Sequence, residues 1–209
     1  MGKREEKSAG IKVNILNATL DLLRNRDFDK VHVTDICEQS GISKVTFFKY
    51  FPQKEDIVFY YFRIFCLRMG LQFSKKERSG VNGLYFLLDE FAQCYVNYPS
   101  LMEEFDSNLV NLNFAIKPIP VTDLEREMLF PGVNGIVQVE IQSFSSIVEG
   151  FLLEAILNKE ITRFSDTKEM KNLVLALLYG LILSAKLLQI SEFRIQVRRA
   201  VDHLLASWR

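Results

Sequence analysis

Three lysines occur close together in this sequence, and their spacing is the feature most suited to chemistry. Lys44, Lys49 and Lys54 lie in a segment that contains no acidic residue from Ser43 to Lys54. Lysine ammonium groups neutralise phosphates, so a cluster of them is typical of a surface that binds nucleic acid. The whole chain carries 26 basic and 26 acidic residues, so such an attraction has to be local.

The residues between these lysines could contact base edges and sugars. Phe47 and Phe51 are four positions apart, so on a helix they point inward together. The residues that then turn outward are Lys44, Val45, Thr46, Phe48, Lys49 and Tyr50. A hydroxyl, a methyl and two aromatic rings beside lysines suit a major groove. A solvated helix face would account for either lysine taken singly, but it leaves the exposed rings of Phe48 and Tyr50 unexplained.

The segment before these residues has the pattern of two short helices joined by a sharp turn. Gly41 can take the left-handed conformation that ends one helix, and Ile42 is the apolar residue that packs back after such an end. Ser43 can cap the next helix with its hydroxyl. Cys37 is small enough to let the two helices approach closely. The pattern predicts a helix-turn-helix.

With these motifs in this order, residues from about Ile11 to Ile57 resemble the DNA-binding domain of the TetR family of bacterial transcriptional regulators. The matching features are the amphipathic helix Ile15 to Leu23, Phe28, Asp35-Ile36-Cys37, Gly41-Ile42-Ser43, Thr46 to Phe51 and Lys54-Glu55-Asp56. The resemblance implies an all-helical homodimer that binds a double-stranded DNA operator. It also implies that the outward residues of 44–50 face DNA, while Val33, Thr34 and Lys54 approach phosphates at helix starts.

The chain departs from the family pattern at three positions. Phe48 stands where tyrosine is usual, so a phosphate-bonding hydroxyl is missing there. Asp27 replaces the usual glycine after the first helix, and aspartate accepts a glycine backbone less easily. His32 stands where a capping threonine is common, so it either caps poorly, with Thr34 compensating, or contacts phosphate itself.

Apolar residues recur at helical spacing along almost the whole chain, while strand-like alternation is scarce. We therefore expect an all-α protein with a three-helix head over residues 1–53 and a larger helical body over residues 54–209. The first four predicted helices run from about 11 to 26, 34 to 40, 44 to 51 and 54 to 76. After a break at 79–83, a fifth helix reaches 98 and a sixth reaches about 113. The last four run from about 123 to 130, 136 to 159, 167 to 189 and 191 to 208. Prolines and glycines make residues 117–135 the least regular stretch.

Aromatic and methionine side chains recur at helical spacing in the body. The candidate effector-binding residues are Phe62, Phe65, Met69, Phe86, Phe91, Tyr95, Met102, Phe105, Phe144 and Phe151. Any one of them is more often a core residue, but together they would suit the apolar effector pocket that the resemblance implies. Five acidic residues and no lysine or arginine occur from Val81 to Ile116, which would favour a cationic, lipophilic effector.

The last two helices are the dimerisation elements that the resemblance implies. Small residues recur every four positions on the first of them, and an apolar stripe follows on the second. The predicted interface residues are Ala176, Gly180, Ser184, Leu187, Phe193, Val197, Val201 and Leu204. Ordinary packing within one chain would explain any single position equally well.

No catalytic constellation is found, so we do not expect an enzyme. His32 and His203 are far apart, and no HExxH, GxSxG or GxxxxGK[ST] pattern occurs. We expect neither a metal nor a cofactor. Cys37, Cys66 and Cys94 are widely spaced without a CxxC pair, and the polar start has no apolar segment behind it, which fits a soluble protein of the reducing cytoplasm without membrane contact.

These observations predict a ligand-responsive, sequence-specific DNA-binding regulator. The resemblance favours a repressor that a small apolar, and on the charge pattern cationic, effector releases from its operator. Two alternatives stay open: a TetR-like architectural DNA-binding protein without an inducer, and an all-α carrier of apolar molecules that has lost DNA binding. The lysines of residues 43–54 oppose the second alternative.

Overall fold

The computed structural model describes residues 2–74, 78–110, 119–163 and 166–209, and in these ranges the chain is all-helical, as predicted. The helices are α1 (Lys3–Leu22), α2 (Val33–Ser40), α3 (Lys44–Tyr50), α4 (Asp56–Ser74), α5 (Gly80–Asn97), α6 (Pro99–Val110), α7 (Asp123–Leu129), α8 (Phe144–Leu157), α9 (Thr167–Leu188) and α10 (Phe193–Ala206). Short 3-10 helices lie at Phe28–Lys30 and Ile136–Gln138.

The head consists of α1, α2 and α3 around a small apolar core. Ile15, Ile36, Phe47 and Phe51 are fully buried there, one or two from each helix and its end. The same core continues along α4, from Ile57 to Leu67 and Leu71. Because α4 shares this core, it holds the head firmly to the body. The predicted domain boundary at residue 53 stays a prediction.

Two predicted helix starts are wrong, and the first helix also ends at Leu22 rather than near Arg26. The first helix begins at Lys3 rather than near Ile11, because exposed lysine, arginine and glutamate residues extend it without any apolar stripe. Helix α8 begins at Phe144 rather than near Ile136. Gly135 has a left-handed backbone (φ 80°), and Ser143 caps α8 by accepting a hydrogen bond from Ser146 N at 3.0 Å.

Asp27 fits its position without strain, contrary to expectation. Its backbone is extended (φ −71°, ψ 154°), a conformation that any residue adopts. The carboxylate accepts a hydrogen bond from Lys30 Nζ at 2.6 Å. Aspartate at this position therefore does not disturb the path from α1 to α2.

The body packs α5 against α8 and α10, with α9 beside α8 and α10. Gly83 of α5 lies directly against the ring of Phe151 of α8, so a Cβ at this position would overlap the ring. Helix α5 begins where two carboxylates accept its first amides: Glu154 accepts from Gly80 N at 3.1 Å, and Glu160 from Val81 N at 2.7 Å. These contacts set the distance between the two central helices of the body.

We expect Gly83→Ala to lower the free energy of unfolding by about 1–3 kcal/mol, because the new methyl forces α5 and α8 apart. Denaturant unfolding measures this change. Gly10→Ala is the matched control, since a Cβ on Gly10 of α1 meets no atom within 4 Å. The control should stabilise the chain by up to about 1 kcal/mol through helix propensity, and equal effects of the two substitutions would contradict the assigned packing.

Candidate nucleic-acid interface

The turn between α2 and α3 has the predicted helix-turn-helix geometry. Gly41 adopts the left-handed conformation (φ 67°, ψ 33°). Ile42 N donates a hydrogen bond back to Cys37 O at 3.0 Å, and Ser43 Oγ accepts one from Thr46 N at 3.1 Å. Helix α2 therefore ends and α3 is capped within three residues, which confirms the predicted helix-turn-helix.

Helix α3 presents two different faces. Phe47, together with Phe51 just after the helix, is fully buried in the head core, as the four-residue spacing predicted. Lys44 and Lys49 are exposed on the other side, and beside them Val45 is 83% and Phe48 48% exposed. Apolar side chains on an isolated helix face next to lysines are unfavourable in water, so this surface is suited to a groove that buries them.

Two of the predicted contact residues are partly engaged within the head. Thr46 is half-buried, and its Oγ1 lies 2.9 Å from Ser43 Oγ, so its hydroxyl takes part in capping α3. Tyr50 is half-buried against the head core, and Lys49 Nζ lies 5.7 Å from the centroid of its ring. The side chains fully directed outward are therefore Lys44, Val45, Phe48 and Lys49.

Lys54 has a structural role that the sequence did not reveal. Its Nζ donates hydrogen bonds to Phe28 O at 2.8 Å and Val31 O at 3.1 Å, and it lies 4.3 Å from the centroid of the Phe28 ring. Its ammonium therefore ties the start of α4 to the loop between α1 and α2. A phosphate contact of Lys54 stays a prediction, and the lysines that are exposed on this surface are Lys44 and Lys49.

We expect Lys54→Met to destabilise the head by about 1–3 kcal/mol, because Val31 O and Phe28 O would each lose a hydrogen bond, and Phe28 O would keep only the one from Val31 N at 3.3 Å. The slope of log K for DNA against log salt should stay unchanged, since no phosphate contact is removed. Chemical unfolding and salt titration of DNA binding measure the two effects. A flatter salt slope at unchanged stability would restore the phosphate role.

Asp35 organises the start of α2. Its Oδ2 accepts hydrogen bonds from His32 N and from Arg26 Nη1, each at 3.1 Å. The side chain of His32 makes no capping hydrogen bond and is exposed. Thr34 is exposed at the same helix start, whereas Val33 is half-buried against the head core. The carboxylate of Asp35, the third residue of α2, thus caps the start of this helix. Asp35 was the residue in the sequence that could have predicted this cap.

Cys37 is the cysteine of the head, and burial and a nearby charge shift the pKa of its thiol in opposite directions. Burial raises the pKa of the Cys37 thiol, and the nearby Lys44 opposes this shift. Cys37 lies on the buried face of α2, in the head core, where it acts as a small apolar residue. Within the part of the chain that the structure describes, no group of three or more His, Cys, Asp or Glu residues comes together that could hold a metal.

The predicted effector residues form a closed aromatic core in the body. Phe62 lies 4.0 Å from Phe105 between ring centroids, and Phe91 lies 5.2 Å from Phe144. We call Phe62, Phe65, Phe91 and Phe144 the aromatic cluster, because each ring contacts at least two of the others. Met102 is also buried in this core. The rings of the cluster therefore pack directly against one another.

The remaining predicted effector residues lie at the edges of this core. Met69, Phe86 and Phe151 line a cavity of about 10 Å³, about the size of one water molecule. The guanidinium of Arg78 covers the Phe86 ring at 3.8 Å. The ring of Tyr95 is tilted against that of Phe193 of α10, with 4.1 Å between the ring centroids. The ten residues therefore do not line one open pocket.

The acidic residues of α5 and α6 do not support a cationic effector. Asp89 pairs with Arg198, Glu90 with Arg68, and Glu103 with Lys186 at 2.9 Å. Hydrogen bonding to Glu103 raises the pKa of Lys186, and burial raises the pKa of Asp106. Three of the carboxylates that suggested a positive ligand are thus neutralised by basic residues of the chain itself.

The predicted dimer residues separate into two groups. Phe193, Val197 and Val201 are buried in the chain's own core, so they cannot contact a second copy in this conformation and that part of the prediction is corrected. Ala176, Gly180 and Leu187 are exposed on α9, while Ser184 and Leu204 are half-buried. Leu173, Leu183 and Leu188 are exposed apolar residues on the same helix that the sequence prediction missed.

Helix α9 is unusually apolar for a helix with so much exposed surface. Only five of its 22 residues are buried, and they form one stripe: Met170, Val174, Leu178, Ile182 and Ala185. Within the described ranges it is the one helix that by length and composition could cross a membrane, a test that the core helices of soluble proteins also pass. Its exposed leucines require some apolar cover.

Residues 15–61 match the family described as bacterial regulatory proteins, tetR family. A TetR transcriptional regulator from Rhodococcus sp. RHA1 is 20% identical and has a TM-score of 0.58, with 94% of this chain and 96% of that one covered. No curated relative matches the chain.

Two further solved structures share the fold, and both are named FadR. The protein from Thermus thermophilus, a TetR-family repressor in complex with lauroyl-CoA, is 16% identical with a TM-score of 0.60, covering 93% of each chain. The regulator from Bacillus subtilis, in complex with stearoyl-CoA, is 16% identical with a TM-score of 0.63, covering 92% of this chain and 97% of that one.

Proposed function

We propose that this chain, which belongs to the TetR family by its N-terminal helix-turn-helix and its helical fold, is a dimeric repressor that an apolar effector releases from DNA. The observation that carries the proposal is the outer face of α3. Lys44, Val45, Phe48 and Lys49 are exposed together on a helix whose other face is buried and whose start is capped. Lysines position such a helix on phosphates, while the apolar groups contact bases or sugars.

A second copy of the chain is the proposed cover for α9. Leu173, Leu183, Leu187 and Leu188 leave apolar surface on one helix, and the exposed Ala176 and Gly180 allow a partner helix to approach closely. One seven-residue recognition helix reads few bases. A two-fold dimer places two such helices in successive major grooves, about 34 Å apart, and so reads two half-sites.

The proposed release mechanism uses α4. Ile57, Val58 and Tyr60 of α4 are buried in the head core, so the head moves with this helix. Further along the same helix, Phe62 and Phe65 belong to the aromatic cluster. An apolar ligand that separates these rings would therefore displace α4 and change the spacing of the two recognition helices. The acyl-CoA ligands of the two FadR structures support an apolar chain as the effector.

The closed aromatic cluster favours one second candidate, an architectural DNA-binding protein without an inducer. That protein would bind DNA through the same face of α3, and no acyl compound would release it. The carrier alternative has no need for exposed Lys44 and Lys49, so it is the less supported of the two.

Selection of bound fragments from the organism's own genome tests the proposal. We expect enrichment of a short near-palindromic site, and a gel shift of that site by the purified chain. Adding lauroyl-CoA or stearoyl-CoA then separates the candidates: release favours the effector-responsive repressor, and persistent binding of the duplex favours the architectural protein. Absence of any enriched fragment would contradict both and favour the carrier.

A further inference from the structure

A buried ion pair joins the head to the body away from the recognition helix. Lys12 of α1 and Glu125 of α7 are only 6% and 3% exposed. Lys12 Nζ donates to both carboxylate oxygens of Glu125, at 3.0 and 3.2 Å, and also to Pro120 O. The ammonium thus has three acceptors, two of them on α7 and one in the segment just before it.

The phenol of Tyr60 completes this buried cluster. Its OH donates to Glu125 Oε2 at 2.8 Å, and Lys12 Nζ lies 4.4 Å from the centroid of its ring. Burial lowers the pKa of Lys12, an effect that Glu125 opposes, and burial also raises the pKa of Tyr60. Removing one member of a buried ion pair leaves an uncompensated charge, so α7 is held strongly to α1 and α4.

The next residue of α7 holds a different part of the body. Arg126 Nη1 donates to Val137 O at 2.9 Å and to Val139 O at 2.8 Å. These carbonyls belong to the segment that leads from α7 to Phe144, the first residue of α8 and a member of the aromatic cluster. The same segment lies against α4, since Glu140 O is 3.2 Å from where a Cβ of Gly70 would be.

We propose that α7 couples the aromatic cluster to the head, with Glu125 attached to α1 and Arg126 attached to the segment before Phe144. A change in the ring packing of Phe144 moves residues 136–143, Arg126 transmits this movement to α7, and Glu125 transmits it to Lys12. This route acts in addition to α4. It rests on the proposed function and deepens it, because it names positioning residues for the release of DNA that the effector causes. Both residues act through others and contact neither DNA nor ligand.

Coupling between two sites is reciprocal, so the route can be tested without knowing the effector. DNA bound to the head must then alter the segment at the other end of the route. Three of its amides are hydrogen-bonded and report on it: Gln138 N donates to Gly135 O at 3.1 Å, Val139 N to Ile136 O at 3.3 Å, and Gln142 N to Glu140 O at 3.1 Å. Hydrogen exchange of these amides is the readout.

The first measurement compares exchange with and without the duplex recovered from the genome selection. We expect bound DNA to change exchange at residues 136–143 by about fivefold or more in the wild-type chain, the lower end of typical couplings. Arg126→Met should reduce this change to the part that α4 transmits, while α3 stays protected by DNA. Arg199→Met, which removes an exposed arginine from α10, is the control and should behave as the wild type.

The second measurement uses no DNA, so it separates the coupling from the proposed function. Glu125→Gln should speed exchange at residues 136–143 by about fivefold or more, whereas Glu127→Gln, at an exposed position of the same helix, should not. If Glu125→Gln fails to fold, the double variant Lys12→Met, Glu125→Leu replaces it, because it leaves no unpaired buried charge.

Two results would overturn the coupling. One is DNA that protects α3 in the wild-type chain but leaves exchange at residues 136–143 unchanged. The other is a Glu125 variant that alters exchange in α1 and leaves that of residues 136–143 at the wild-type rate. A chain whose α3 gains no protection from DNA contradicts the proposed function instead, and the DNA-free measurement then decides the coupling alone.

Discussion

Replacing Lys44 and Lys49 together by alanine is expected to weaken operator binding by about a hundredfold or more at 0.15 M salt. Both ammonium groups are exposed on the outer face of α3, where they can each neutralise a phosphate. Removing one lysine–phosphate pair flattens the slope of log K against log salt by about 0.9, which at this salt concentration is about fivefold in Kd, and the substitution removes up to four such pairs from a dimer. Gel shifts over a series of salt concentrations measure both quantities.

The matched control for this double variant removes two exposed charges from the body, as Lys168→Ala with Arg199→Ala. Its salt slope should equal that of the wild-type chain, because α9 and α10 lie outside the proposed DNA face. If the slope of log K against log salt is unchanged in the Lys44 and Lys49 double variant, and circular dichroism shows an intact fold, then α3 does not bind DNA as proposed.

Leu187→Glu is expected to convert the dimer into a monomer and to abolish operator binding at concentrations where the wild type is saturated. Leu187 is 71% exposed in the single chain, so glutamate does not disturb the chain's own core. In the proposed interface, however, two carboxylates would be buried without partners across the two-fold axis, which is strongly unfavourable. Sedimentation velocity measures the oligomeric state, and the gel shift measures DNA binding.

Leu157→Glu is the control for this substitution. Leu157 is similarly exposed but lies at the end of α8, outside the proposed α9 interface. This variant should stay dimeric and keep its affinity for the operator. A Leu187→Glu chain that remains dimeric would show that the exposed leucines of α9 serve another purpose.

The recognition motif could be predicted from the sequence because every step of it is local. Gly41, Ser43 and the pair Phe47 and Phe51 act within a few residues of each other, and the structure places them as their types and spacing predicted. Lys54 differs because its two acceptors are 26 and 23 residues away, on carbonyls that no sequence pattern identifies. An exposed and a structural lysine look alike in a sequence.

The body was less predictable because an apolar stripe does not specify its partner. Phe193, Val197 and Val201 form a regular stripe on α10, but the chain's own core covers it, whereas the leucines of α9 are left exposed. Lys12 is similar: on an amphipathic helix it reads as solvated, yet its partner Glu125 is 113 residues away. Such pairings depend on how distant elements meet.

The proposed function depends most directly on two recognition helices reading one DNA site. Hydroxyl-radical footprinting of the wild-type chain on the fragment recovered from the genome tests this arrangement. We expect two protected patches related by a two-fold axis, with centres about 34 Å apart in successive major grooves, and both patches should disappear with the Lys44 and Lys49 double variant. A single protected patch, or two patches that persist in that variant, would contradict it.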